Sequence, residues 1–188
     1  MSSNRAIAIA TASLIALGGT VLAQESKMEP NVTRRMLQVE HIMIETPKKF
    51  GDVEATLERI VPQLDPAMLK ALAEGDEGTI AKFERDSKLF IFLKRDHGAI
   101  LKIAGAPRKV IQYEIGNAHT ATKMTRHKLG AALYAPLRLV MYENAAGGTT
   151  FEYDKPSSLF AQYDDEKVAA VGRDLDEELE EVLRKAAE

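Results

Sequence analysis

Four histidines, His41, His97, His119 and His127, are the side chains of this sequence that titrate near neutral pH, and there is no cysteine to add thiolate chemistry. His119, Lys123 and His127 recur at i, i+4 and i+8, which places them on one face of a predicted helix. Eight residues of helix rise about 12 Å, too far for two imidazoles to share one metal ion, which takes an i, i+4 pair. A metal or haem site would therefore need His119 or His127 to be joined by His97 or a methionine from elsewhere in the chain. Asp96-His97 sets a carboxylate beside an imidazole at the end of a predicted strand. Acid–base work there needs a third group within hydrogen-bond reach, and neighbours on an extended chain point to opposite faces. Turn formation by Asp96 is the simpler reading.

Gly116-Asn117 closes a predicted strand and opens a predicted helix. Free N–H groups at such a helix start attract phosphate or carboxylate, while the plainer role for Asn117 is the N-cap. Arg138 falls on a strand with Leu137 and Leu139 pointing the other way, so it is either an exposed strand charge or the cation of an anion pocket beside Asn117. His97, Asn117, His127 and Arg138 are thus the candidate ligand-binding set, with a small anion as the expected ligand and no residue assigned as catalytic.

The composition removes other classes. The chain has 188 residues, 25 basic and 28 acidic, a net charge of −3 and 45% hydrophobic residues, so it holds enough apolar material for one folded domain. That balance gives no electrostatic case for nucleic acid. Zinc–thiolate and iron–sulfur sites need cysteine, and no Gly-rich phosphate loop, nucleophile elbow or metalloprotease helix occurs.

The elements that must position these residues follow from periodicity. Leu37, Val39, Ile42 and Ile44 predict a first strand ending before Pro47. Phe50, Val53, Leu57, Ile60 and Val61 predict a helix stopped by Pro62, and Asp65-Pro66 restarts one as cap and first residue, running to Gly75. Residues 74–87 read as a loop or short helix whose Ile80 and Phe83 dock on the core. Leu89–Leu93 and Val110–Ile115 are strands, and Ile100, Leu101 and Ile103 between them are read as a further strand in preference to a helical turn. Ala118–Tyr134 reads as one helix ended by Pro136. Leu137–Tyr142 alternates as a strand, Ala145–Gly148 turns, and Thr149–Tyr153 returns as its hairpin partner. A last helix from Asp164 to Ala187 carries Val168, Val171, Leu175, Leu179, Val182 and Leu183 on one stripe and a run of acids opposite, read as a solvated face.

Arg5, the apolar run Ala6–Leu17, Gly18-Gly19 and Val21-Leu22-Ala23 form the pattern of a signal peptide cut before Gln24, so residues 1–23 are expected to be removed on export to the periplasm or beyond. An uncleaved membrane anchor is the alternative; small and polar residues interrupt the run, which is shorter than the roughly 20 apolar residues a span needs. Residues 24–35 read as a polar leader and 36–188 as a single domain. No stable membrane insertion is expected after cleavage.

The order Asp96-His97-Gly98-Ala99, then Tyr113-Glu114-Ile115-Gly116-Asn117, then Ala135-Pro136-Leu137-Arg138-Leu139-Val140-Met141-Tyr142-Glu143, then Gly147-Gly148 and Tyr153-Asp154-Lys155-Pro156 resembles the bacterial family of domain of unknown function 302 over about residues 36–187. The region 62–87 departs, being longer and more charged, and Leu137 stands where many relatives carry Cys. The resemblance implies an α+β fold, a small mainly antiparallel sheet covered by helices in two layers, and a dimer; it implies no reaction. Edge strands of such a sheet need cover or pairing, which also points to a homodimer, expected near Leu137–Tyr142 or its hairpin partner. The function most consistent with this sequence is a non-catalytic binding or interaction module. The alternatives are a metal or haem protein using His97, His119 or His127, and a hydrolase or isomerase using Asp96 and His97.

Overall fold

The computed structural model describes residues 30–188, so the expected signal peptide and the first half of the expected leader lie outside the described residues. Residues 30–35 are exposed and carry no regular secondary structure. Met36–Glu188 forms one compact unit.

Alternation of apolar residues builds the sheet. β1 (His41–Thr46), β2 (Phe90–Asp96), β3 (Val110–Gly116), β4 (Leu137–Glu143) and β5 (Thr149–Asp154) pair antiparallel throughout in the spatial order β1-β5-β4-β3-β2. Ile111, Tyr113 and Ile115 of β3, Leu137, Leu139 and Met141 of β4, and Phe151 and Tyr153 of β5 point inward and are buried. Their odd-numbered spacing is the period-2 signature of a half-buried strand. The opposite face, with Met43, Leu93, Arg95 and Arg138, remains exposed. This is the expected α+β arrangement, with helices stacked on one face of an antiparallel sheet.

β4 and β5 are interior strands, paired on both sides, so neither can pair edge to edge with a second chain; the expectation that they lie near a dimer interface does not hold for edge pairing. The edges are β1 and β2. The upper half of β2 is covered, because Ile91 exchanges backbone hydrogen bonds with Pro62 and Leu64.

The helical layer follows from apolar stripes and caps. α1 (Phe50–Ile60) buries Phe50, Val53 and Leu57 and stops short of Pro62. α2 (Pro66–Glu74) starts on Asp65, whose carboxylate accepts the Ala67 N–H at 2.8 Å, and ends on Gly75 at φ 70°, a left-handed cap that suits glycine. α3 (Glu77–Asp86) is a full helix capped by Asp76 through the Thr79 N–H and hydroxyl, and it buries Ile80 while Phe83 is half-buried. α7 (Glu166–Ala187) buries Val168, Leu175, Leu179 and Leu183 against the sheet, and Asp165 caps it through the amides of Lys167 and Val168.

Three local expectations are corrected. The segment holding Ile100, Leu101 and Ile103 is not a strand but the short helix α4 (His97–Leu101) followed by a 3₁₀ turn, Lys102–Ala104. Asp96 accepts the Ala99 N–H at 2.9 Å, and this cap turns the chain before an extended pairing can continue. The single helix expected over 118–134 is split into α5 (Ala118–Thr125) and a 3₁₀ segment, Leu129–Tyr134, because Lys128 is extended and the chain must return to β4. The His119–Lys123–His127 face therefore does not exist as a continuous helix face. Between β5 and α7 the chain adds α6 (Pro156–Phe160) and a 3₁₀ turn, Ala161–Tyr163. Gly172 lets α6 pack closely on α7, since a β-carbon there would lie 3.1 Å from the Ser157 Cα.

Candidate functional site

The upper end of β3 is where backbone, cap and apolar side chains converge. Gly116 ends the strand, Asn117 starts α5, and the chain crosses to β4 through Ala135-Pro136, joined by a cis peptide bond. The Asn117 side chain is buried and makes four hydrogen bonds. Its Oδ1 accepts the N–H groups of His119 and Thr120 at 2.9 and 3.2 Å, and its Nδ2 donates to Glu84 and to the Lys88 carbonyl, both at 3.1 Å. The same Glu84 oxygen meets His119 Nδ1 at 2.9 Å. One amide therefore caps α5 and ties it to α3 and to the start of β2. With two of its first N–H groups already taken, this helix start has little left to offer an anion.

Beneath the cap lies a pocket of about 210 Å³. The first face of α5 supplies Ala118, Ala121 and Met124 at i, i+3 and i+6; Pro136 and Leu137 form one wall and Leu175 of α7 the floor. Phe92 closes the side. It is the extra residue where the β2–β3 register shifts between Ile91 and Leu93, and such a bulge re-aims a side chain out of the ladder. No lining residue carries a charge, and Asn117 and Thr120 are the polar members. Small side chains on α5 leave this space: alanine at 118 and 121 cannot fill what a leucine would. That apolar character, rather than cation and donor placement, is what the pocket offers a ligand.

The four residues expected from the sequence do not meet. Asn117 lines the pocket. Arg138 is one residue from Leu137 but projects to the opposite, exposed face of the sheet, beside His41, Gln112, Glu152 and Asp154. His127 is exposed in the turn after α5. His97 sits at the other end of the sheet: Asp96 pairs with Ile111, and Asn117 follows six residues on, about 20 Å at 3.3 Å per residue.

Asp96 and His97 do not form a pair. The carboxylate is engaged at the α4 cap, and His97 Nε2 is buried with no hydrogen-bond partner among the described residues. Nor do the histidines build a metal site: among the described residues no group of three histidine, aspartate or glutamate side chains is placed to hold an ion. His41 instead meets Asp154 at 2.9 Å on the exposed sheet face. Sequence reasoning missed Phe92, Thr120, Pro136 and Leu175 as pocket residues. The small residues Ala118 and Ala121 on the inner helix face were the readable signal, whereas the bulge at Phe92 is set by pairing and leaves no mark in the local sequence.

A second charged cluster lies against α1. Lys94 Nζ is 2.6 Å from both Glu54 and Glu58, and the Tyr113 hydroxyl donates to Glu58 at 2.9 Å. Burial, then the Glu58 carboxylate, holds the Tyr113 phenol far above its ordinary range, so it stays protonated and serves as a buried donor. The two glutamates in turn favour the charged form of Lys94, whose ammonium is held above its usual value despite partial burial. The arrangement ties α1 to the sheet through one ammonium shared by two carboxylates.

Comparison with known proteins agrees with this architecture. The family described as Domain of unknown function DUF302 matches residues 77–186. The crystal structure of an uncharacterized conserved DUF302 protein from Bacillus stearothermophilus is similar at a TM-score of 0.57 and 16% identity, covering 78% of this chain and 97% of that one. No curated protein matches. With the family match spanning more than half of the chain and the same sheet-and-helix fold in a solved relative, this chain belongs to the DUF302 family.

Proposed function

We propose that this protein is an exported, non-catalytic small-ligand-binding module whose site is the pocket between β3, α5 and Pro136, and that its ligand presents a small apolar group. The observation that carries this reading is the lining of that pocket: about 210 Å³ walled by Phe92, Ala118, Ala121, Met124, Pro136, Leu137 and Leu175 with no charged side chain. A cavity of about 150 Å³ lined by aliphatic and aromatic side chains admits benzene, so this one takes a somewhat larger ring or a short acyl chain. Thr120 at its margin orients a polar end of such a molecule, the Asn117 amide being fully engaged within the protein. The small anion expected from the sequence fits less well, because Arg138 and His127 face elsewhere and the helix start is already capped.

Export rests on the leader pattern of residues 1–23, and recovery of a mature chain beginning at Gln24 from the periplasm or medium is its check. Among the described residues no helix is long and apolar enough to cross a membrane. A homodimer is proposed with the unpaired edge of β1 or the open sheet face as its contact, and light scattering at tens of micromolar protein distinguishes it from a monomer.

The pocket is tested by titrating indole while following the Met124 methyl resonance. Saturable shifts at Met124 that vanish in Ala121→Phe, a variant that fills the space, are the expected result. Saturable binding that leaves Met124 unmoved, or that survives Ala121→Phe, rejects the pocket as the site.

A further inference from the structure

We propose that the turn between α5 and β4 docks this protein on an anionic lipid surface, with Leu129 and Leu133 entering the interface and Lys123, Arg126 and Lys128 meeting the headgroups. The proposal stands apart from the ligand reading above and rests on a different part of the molecule.

Charge distribution along the chain is the first observation. The chain as a whole is net negative, yet no acidic residue occurs between Glu114 and Glu143, a stretch that holds Lys123, Arg126, Lys128 and Arg138 along with His119 and His127. Lys123 and Arg126 are exposed, and Arg126 and Lys128 form no ion pair among the described residues. Several basic side chains elsewhere are held by carboxylates: Lys94 by Glu54 and Glu58, Lys109 by Glu143, Lys155 by Glu40, Arg184 by Glu180.

Exposed apolar surface is the second. Leu129 is 85% exposed and Leu133 73%, both on the same 3₁₀ segment and directly after the basic cluster. The segment is not loose. Ala131 between the leucines is fully buried, and the Tyr163 hydroxyl donates to the Gly130 carbonyl, so the fold pins the backbone while turning two leucines to solvent.

The pairing of these features selects the occupant. A two-fold dimer through this turn would set Arg126 and Lys128 of one copy against those of the other, a like-charge contact that costs affinity. An anionic bilayer satisfies both demands at once, giving the basic side chains phosphate partners and the leucines hydrocarbon. Exposed Ile100 and Ile103 form a second apolar tip, but they lie at the other end of the sheet, so one flat surface does not engage both turns.

Co-sedimentation of the mature chain with vesicles of equal phosphatidylglycerol and phosphatidylcholine, and with pure phosphatidylcholine vesicles, tests the assignment. Binding is expected to the anionic vesicles and not to the neutral ones, and to weaken as salt rises above about 0.1 M. The Leu129→Asp/Leu133→Asp variant, and separately Arg126→Gln/Lys128→Gln, are each expected to lose about tenfold or more in vesicle affinity. Ile103→Asp is expected to bind as the parent does, and circular-dichroism melts verify that every variant is folded. Failure of the parent chain to bind anionic vesicles overturns the proposal. So does undiminished binding by the double-aspartate variant, or loss of binding in Ile103→Asp. A mass that rises with concentration and falls back in the double-aspartate variant, without vesicle binding, would make the turn a contact between copies and equally overturn it.

Discussion

The two ends of β3 begin with the same local device and come to opposite uses. At the lower end, Asp96 accepts the Ala99 N–H and starts α4; at the upper end, Asn117 accepts the amides of His119 and Thr120 and starts α5. Asp96 is exposed and its carboxylate serves one turn of helix. Asn117 is buried, and its amide spends its remaining donors on Glu84 and the Lys88 carbonyl, so one side chain joins three elements. A carboxylate in that place would lack donors to give and would set a second negative charge against Glu84. The difference teaches that a cap is a local signal whose weight is fixed by burial. Where the cap is buried, the helix behind it is held over apolar side chains and a pocket forms; where it is exposed, the neighbouring cleft is open and lined by mixed charges.

Substitutions can break this contrast in order of effect. Asn117→Ala removes the cap and orphans groups near the core, and is expected to cost about 3 kcal/mol in denaturant unfolding. A cost near that of an exposed cap would erase the difference between the two ends. An alkaline titration probes the covered face in a second way. Burial, reinforced by the carboxylates of Glu180 and Asp176, pushes the Tyr153 phenol up to about 12 from 10.0. The folded state thus holds this proton more tightly than the unfolded one. Its contribution is complete below pH 10 and is lost as the pH rises toward 12, with roughly 2 kcal/mol gone by the upper value. Tyr153→Phe should flatten that part of the stability curve measured by chemical denaturation across pH.

At the lower end the largest effect belongs to packing and not to the cap. A β-carbon on Gly98 would lie 2.1 Å from the Arg108 carbonyl oxygen, so Gly98→Ala must push the returning loop away, at about 2 kcal/mol in the same unfolding assay. Asp96→Ala loses only an exposed cap, about 1 kcal/mol. His127→Ala should change stability by less than about 0.5 kcal/mol, since the side chain is exposed in a turn. A strong thermal destabilisation by His127→Ala would mean that the α5–β4 turn depends on it and would blur the difference between rim and cap.

Much of this fold could be read before any coordinates. Phe50, Val53 and Leu57 announce α1, Asp65-Pro66 and Gly75 bound α2, and Leu137, Leu139 and Met141 announce β4, because each of these signals is local and periodic. Asn117 was legible as a cap for the same reason. The helix over residues 118–134 was not legible as two pieces: Lys128 breaks it without proline or a helix-ending glycine, under the demand that the chain reach β4. His97, Asn117, His127 and Arg138 looked like one set because they are polar and follow one another in sequence. Strand direction separates the first from the second by the length of β3, and the pleat sends Arg138 away from Leu137.

Composition, caps and apolar period by themselves determined that this chain forms antiparallel strands and amphipathic helices around one core, since those choices depend on residues within a turn or two of each other. Tertiary structure alone decided the strand order, which makes β4 and β5 interior, the bulge that aims Phe92, and the gathering of Ala121, Pro136 and Leu175 around one space. A pocket is volume left over when distant side chains pack, and no local pattern specifies the sizes of neighbours that meet only after folding.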